Sequence, residues 1–191
     1  MKKFLFLLLG FIISQVVFSQ TDSHLKFRDI PINGHISDFV DSLKHKGFVK
    51  NKSENNIVIM NGSFVGKEVE LFIIATPKTK QVWKVTVYLP KDDSWYSLKS
   101  DYTKYVKSFK NKYGNPSDNY EFFSSPYYEG DGYEMTALKS GKCHYVSFFN
   151  IEEGNVSVEI SKFAQIKFSY EDSKNTKLKK EEEESSVLED I

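Results

Sequence analysis

Cys143 and His144 stand side by side in "GKCHYVSFF", and a thiol beside an imidazole is the raw material of a nucleophile. The segment reads as a strand, where neighbouring residues point to opposite faces, so this imidazole cannot reach this thiol. Cys143 is therefore expected as a small apolar core residue. His24, His35, His45 and His144 form no H-x-x-x-H pair or other ligand cluster, so no zinc site is indicated. "NGSFVG" places a serine between glycines at the wrong spacing for a nucleophile elbow. No glycine-rich phosphate cradle is present, and no cofactor is implied.

Carboxylate pairs offer a second chemistry, since glycoside hydrolysis needs two acids across a cleft. Glu68/Glu70, Asp92/Asp93 and Glu152/Glu153 qualify by type. Glu68 and Glu70 alternate with Val69 and Leu71, as on a solvent-facing strand. Asp92-Asp93 precedes a helix and Glu152-Glu153 occupies a turn, two places where carboxylates are common in any case. A small extracytoplasmic hydrolase using such a pair is the alternative reading of the chain.

The stretch "SSPYYEGDGYE", Ser124 to Glu134, is chemically the most unusual. Pro126 stiffens its entry, and Gly130 and Gly132 permit positive φ. It reads as a plain turn, as a calcium loop with Glu129, Asp131 and Glu134 as oxygen donors (without EF-hand spacing), or as a recognition loop. In the last case Tyr127 and Tyr128 are exposed anchors, Asp131 sits at the polar rim and Tyr133 completes the ligand-binding set. Tyrosines beside Ser and Gly give rigid amphipathic contact at low entropic cost.

The elements that would hold these residues follow from periodicity. "SDFVDSLKHKGF" puts Phe39, Val40 and Leu43 on one helical face, with Ser37 as N-cap and Gly47 as stop. "SWYSLKSDYTKYVKSFKNKYGNP" carries a longer stripe of Leu98, Tyr102, Tyr105, Val106, Phe109 and Tyr113. Asp93 or Ser94 caps it and Gly114 ends it. Its lysines (Lys99, Lys104, Lys107, Lys110 and Lys112) lie mostly off the stripe and read as a solvated face. Period-two segments are Ile57–Phe64, Lys67–Thr76, Val82–Leu89, Tyr120–Ser124, Gly132–Lys139, Lys142–Asn150, Val156–Phe163 and Gln165–Tyr170. Short turns between neighbours make them antiparallel.

The expectation is an α+β fold with two helices packed on antiparallel β-sheet, arranged as two tandem αβββ-type units over residues 20–90 and 91–172. "SDF" at 37–39 and "SDY" at 100–102 occupy similar points of their helices. Gly47 to Val82 spans 35 positions, Gly114 to Val156 spans 42, and the unusual stretch lies inside the longer interval. Insertions in repeats fall in loops, often on the binding face.

Residues 1–19 read as a signal peptide: Lys2-Lys3, an apolar run from Phe4 to Phe18, then Val17 and Ser19 before a cleavage site at Gln20. The expected location is extracytoplasmic, in the periplasm or secreted, with no stable membrane insertion after cleavage. Loss of the leader removes Lys2 and Lys3 and leaves 24 basic against 26 acidic residues, a net −2. This balance argues against nucleic acid as a partner. One cysteine allows no internal disulfide, so burial must stabilise the fold. Residues 173–191, "SKNTKLKKEEEESSVLEDI", are charged and poor in aromatics, and are expected as a disordered tail, with a short docking helix through Leu178, Val187 and Leu188 as the alternative.

With these elements in place, "IPINGHISDFVDSLKHKGF", "SWYSLKSDYTKYVKSFKNKYGNP", "GDGYEMTALKSGKCHY" and "GNVSVEISKF" together resemble a family of uncharacterised exported bacterial proteins. The helix-on-sheet order is more distantly similar to the β-lactamase inhibitor protein and to small outer-membrane assembly lipoproteins, which are protein-binding folds. That resemblance implies a non-enzymatic binding or inhibitory module for a protein or glycan ligand in the envelope or outside the cell.

Overall fold

The computed structural model describes residues 23–189; the expected leader and its cleavage site lie outside the described residues. The architecture is α+β, built on one eight-stranded antiparallel sheet. Its strands are β3 (Val49–Glu54), β4 (Ile57–Phe64), β5 (Lys67–Ala75), β6 (Val82–Tyr88), β7 (Asp118–Phe123), β8 (Cys143–Ile151), β9 (Gly154–Ser161) and β10 (Gln165–Asp172). Across the sheet the order is β3-β4-β5-β6-β10-β9-β8-β7. Two meanders thus meet at a central seam, where Tyr88 faces Lys167 and Lys84 faces Glu171. A small ribbon of β1 (Lys26–Phe27) and β2 (Ile30–Pro31) precedes them.

Alternation decides which side chains enter the core. Val69, Leu71 and Ile73 of β5 are buried while Glu68 and Glu70 are exposed. Val85, Val87, Val156, Val158, Ile160, Ile166 and Phe168 continue the buried face across the seam. Two helices cover it. α1 (Ile36–His45) contributes Phe39, Val40 and Leu43. Its N-cap is His35 rather than Ser37: the imidazole Nδ1 accepts the Ser37 N–H at 3.3 Å. The helix stops at Gly47 (φ +90), and the Phe48 N–H returns to the Leu43 carbonyl at 3.1 Å.

α2 (Trp95–Tyr113) is capped as expected by Ser94, whose Oγ accepts the Ser97 N–H at 3.3 Å. Leu98, Tyr102, Tyr105 and Val106 are buried, and Phe109 stacks on Phe168 at 5.3 Å and 14°. Inside this stripe the Tyr102 hydroxyl finds Ser147 Oγ at 2.7 Å, so its burial leaves no orphaned polar atom.

Two further helices correct the expected two-helix picture. Residues 134–139 form α3 (Glu134–Lys139), not part of a strand. Glu, Met, Ala, Leu and Lys are good helix formers, and buried Ala137 and Leu138 with Met135 anchor one face of a single turn and a half. The expected disordered tail is instead α4 (Ser173–Glu189) through residue 189. It docks through polar side chains. Buried Asn175 donates to the carbonyls of Ile32 (3.0 Å) and Val82 (2.8 Å). Buried Glu182 accepts the Lys78 N–H at 2.6 Å, the Thr79 N–H at 3.2 Å and the Thr79 hydroxyl.

Asp172, fully buried at the end of β10, links three segments. Its Oδ1 accepts the Asn175 N–H at 2.9 Å, starting α4. Its Oδ2 accepts the Leu25 N–H at 2.9 Å and lies 3.0 Å from His24 Nδ1.

Candidate binding site

The residues from Ser124 to Glu134 form an ordered loop between β7 and α3, closed by carboxylates turned onto backbone donors. Asp131 accepts the Tyr128 N–H at 3.0 Å through Oδ2 and the Tyr133 N–H at 2.7 Å through Oδ1. Glu134 accepts the Gly130 N–H at 2.9 Å. Gly130 and Gly132 hold φ of +89° and +78°, the left-handed conformation that requires no Cβ.

Glu129 fastens the loop to the body of the protein. It pairs with Lys99 of α2 and accepts from the Tyr145 hydroxyl of β8 at 3.2 Å. The hydrogen bond from Lys99 is the main reason its carboxyl lies below the usual range. Trp95 stands behind, edge-on to Tyr145 at 5.0 Å and to Phe123 at 5.3 Å. The loop is therefore positioned by a charge pair and an aromatic cluster.

Between the loop and the outer face of α2 runs a groove of about 680 Å³. Trp95, Tyr96, Lys99, Thr103 and Lys107 line it from the helix, and Glu129, Gly130 and Glu134 from the loop. Lys99, Thr103 and Lys107 follow one another at four-residue steps, so a single helical ridge faces the loop. Tyr96 is 83% exposed, Tyr128 66% and Tyr133 63%. Three hydroxylated rings thus stand in solvent on or beside the two walls.

The four expected ligand-binding residues divide. Tyr128 and Tyr133 are exposed. Tyr127 is half-buried and packs against the core, so it is not an exposed anchor; its N–H closes the loop's first turn on the Ser124 carbonyl at 3.1 Å. Asp131 organises the loop through the two backbone bonds already given, instead of standing free at a rim. The second wall of the groove was missed at the sequence level. Its signal was legible: Tyr96 lies off the apolar stripe of α2, on the same side as Lys99 and Thr103.

The other candidate groups are placed as follows. Cys143 is buried and His144 is exposed, on opposite faces of β8. Burial is the main cause that pushes the thiol up to about 12. Asp92 accepts the N–H of Ser94, the cap of α2, at 2.9 Å, Asp93 lies 3.7 Å from Lys139, and Glu153 accepts from Ser23 at 3.2 Å. Glu68 and Glu70 are exposed on β5. Among the described residues no helix is long and apolar enough to cross a membrane.

Comparison of the chain with protein-family models, with curated proteins and with solved structures finds no match.

Proposed function

We propose that the protein is an exported, non-enzymatic binding module whose ligand docks on the 124–134 loop and the adjoining ridge of α2. The observation that carries this reading is a braced loop bearing exposed Tyr128 and Tyr133 beside a groove that Tyr96 lines. Tyrosines presented on a preorganised frame give contact area without much rotamer entropy to lose. Export rests on the tripartite leader read in the sequence, which places the ligand, a protein or a glycan, in the envelope or outside the cell. The two meanders, each preceded by a helix on the same sheet face, support a tandem origin for the two halves, and the loop then occupies the longer interval of the second.

The test is capture from envelope and culture-medium fractions with the tagged protein and its Tyr128→Ala/Tyr133→Ala variant. A ligand retained by the parent should be lost from the variant, by roughly thirtyfold in affinity on the scale of aromatic hot spots. The melting temperature should stay unchanged, because both rings are exposed. Equal capture by both proteins would refute the docking site.

A further inference from the structure

The face of the sheet opposite α1 and α2 carries a second, chemically different surface. The register sets its side chains in rows across the strands. One row runs Tyr88, Lys167, Glu159, Val146, and the next runs Phe72, Thr86, Ser169, Ser157, Phe148. Two neighbouring depressions lie over these rows and share Tyr88 and Lys167. One, of about 300 Å³, is walled by Tyr88, His144, Glu159, Ser161, Phe163 and Lys167. The other, of about 180 Å³, is walled by Phe72, Lys84, Thr86, Tyr88, Lys167 and Ser169.

Three observations restrict what fits there. First, the charges on the strands are paired, Lys167 with Glu159 and Lys84 with Glu171, while Lys162 at the rim of the first depression lies over the Phe163 ring at 5.4 Å. A polyanion needs a cluster of unpaired cations, and this face offers one such lysine at its rim beside pairs that present donors and acceptors together. Secondly, each depression has aromatic walls, with Phe72 edge-on to Tyr88 at 5.4 Å and Phe163 55% exposed. Thirdly, each contains a serine that is 4% exposed and whose Oγ has no hydrogen-bond partner among the described residues: Ser161 in the first, Ser169 in the second. Buried hydroxyls are ordinarily paired, and one unpaired hydroxyl in each of two adjoining depressions points to a ligand or ordered water that completes them.

A neutral sugar has these complementary properties: hydroxyls that both donate and accept, and a C–H face that lies on an aromatic ring. The polar centre of the face, with its ion pairs and hydroxyls, does not suit a protein partner, whose contact core is depleted in charge. We infer that the open face of β6, β10, β9 and β8 is a binding site for a neutral oligosaccharide, with two adjoining subsites sharing Tyr88 and Lys167. This site is distinct from the loop docking site and does not depend on it.

The experiment is a ¹⁵N NMR titration of the protein with cellohexaose, maltohexaose and N-acetyl-chitohexaose at millimolar concentration, and with polygalacturonate as the charged comparison. At least one neutral hexamer should shift amides of β6, β9 and β10 and leave residues 124–134 in place. The Ser161→Ala/Ser169→Ala variant should keep or raise its melting temperature, because a buried hydroxyl without a partner is removed, and should bind roughly fivefold or more weakly. The inference is overturned if none of the three neutral hexamers shifts the open face, if polygalacturonate shifts it equally, or if the double variant binds like the parent. Shifts confined to residues 124–134 would overturn it while leaving the loop site standing.

Discussion

The carboxylate of Glu182 accepts the backbone N–H of Lys78 at 2.6 Å, joining residues 104 positions apart. With the bonds from Thr79 it pins α4 to the turn between β5 and β6, a contact made without an apolar stripe. Replacing Glu182 with Ala should cost on the order of 1.5–3 kcal/mol, the range for hydrogen bonds to a charged group. Burial raises this carboxyl, and the bonds from Thr79 and from the Lys78 and Thr79 N–H groups more than reverse it, leaving it below its ordinary 4.5. Its contribution is then present above pH 4.5 and fades as pH falls through the lowered value. Amide protection in α4, taken relative to the intrinsic exchange rate at each pH, should fall in acid for the parent and already be low at neutral pH for the variant. Slow exchange in the variant at neutral pH would show that Glu182 does not hold the helix.

Phe109 is half-buried against Phe168, Phe149, Tyr113 and Tyr170, so its truncation empties an aromatic cluster as well as a helix face. Urea unfolding of Phe109→Ala should show a loss of about 3 kcal/mol, the lower end for an aromatic removed from a core. A loss under about 1 kcal/mol would mean that the cluster contributes little to stability.

Gly154 begins β9 where the neighbouring strand passes too closely for a side chain. A Cβ there would lie 2.1 Å from the Glu171 carbonyl oxygen, which is backbone and cannot swing aside. Gly154→Ala should therefore cost about 1–3 kcal/mol, as overpacking does, measured as a fall in the unfolding midpoint. An unchanged midpoint would show that β9 and β10 separate easily at this end.

Cys143 should resist thiol reagents. Its thiol is buried and its ionisation is pushed up to about 12, so little thiolate exists near neutral pH. Labelling with a disulfide reagent at pH 8 should be slow in the folded protein and fast in urea. Rapid labelling of the native state would reveal an opening that exposes β8.

Strand alternation was strong enough to place β4 as Ile57–Phe64 and β5 and β6 within a residue or so at either end. Where apolar periodicity was weak, other forces decided. β3 is exposed along its whole length and polar after Val49, so no alternation marked it, and only pairing with β4 makes it a strand. Residues 134–139 were too few to separate a period of two from one of 3.6. α4 docks through Asn175 and Glu182, residue types that ordinarily signal solvent, while Val187 and Leu188, the apolar candidates for a docking helix, are exposed. For the site, the glycines and tyrosines of the loop were visible in the sequence. The partnership with α2 was not, because it depends on the Glu129–Lys99 pair, 30 positions apart and assembled only by the fold.

The seam between β6 and β10 also fixes an order of events. Lys84 and Glu171 meet across it although 87 positions separate them, while every other pairing in the large sheet joins consecutive strands. Local hairpins close early, and a contact between such distant positions must first meet the entropy of closing a long loop. The first meander can therefore assemble alone, but its inner strand remains an edge until residues 165–172 arrive. In that interval β6 presents a row of unpaired backbone donors and acceptors, the template on which two immature copies would join. The centre of the finished molecule is thus expected to be an open strand edge while the chain is still folding.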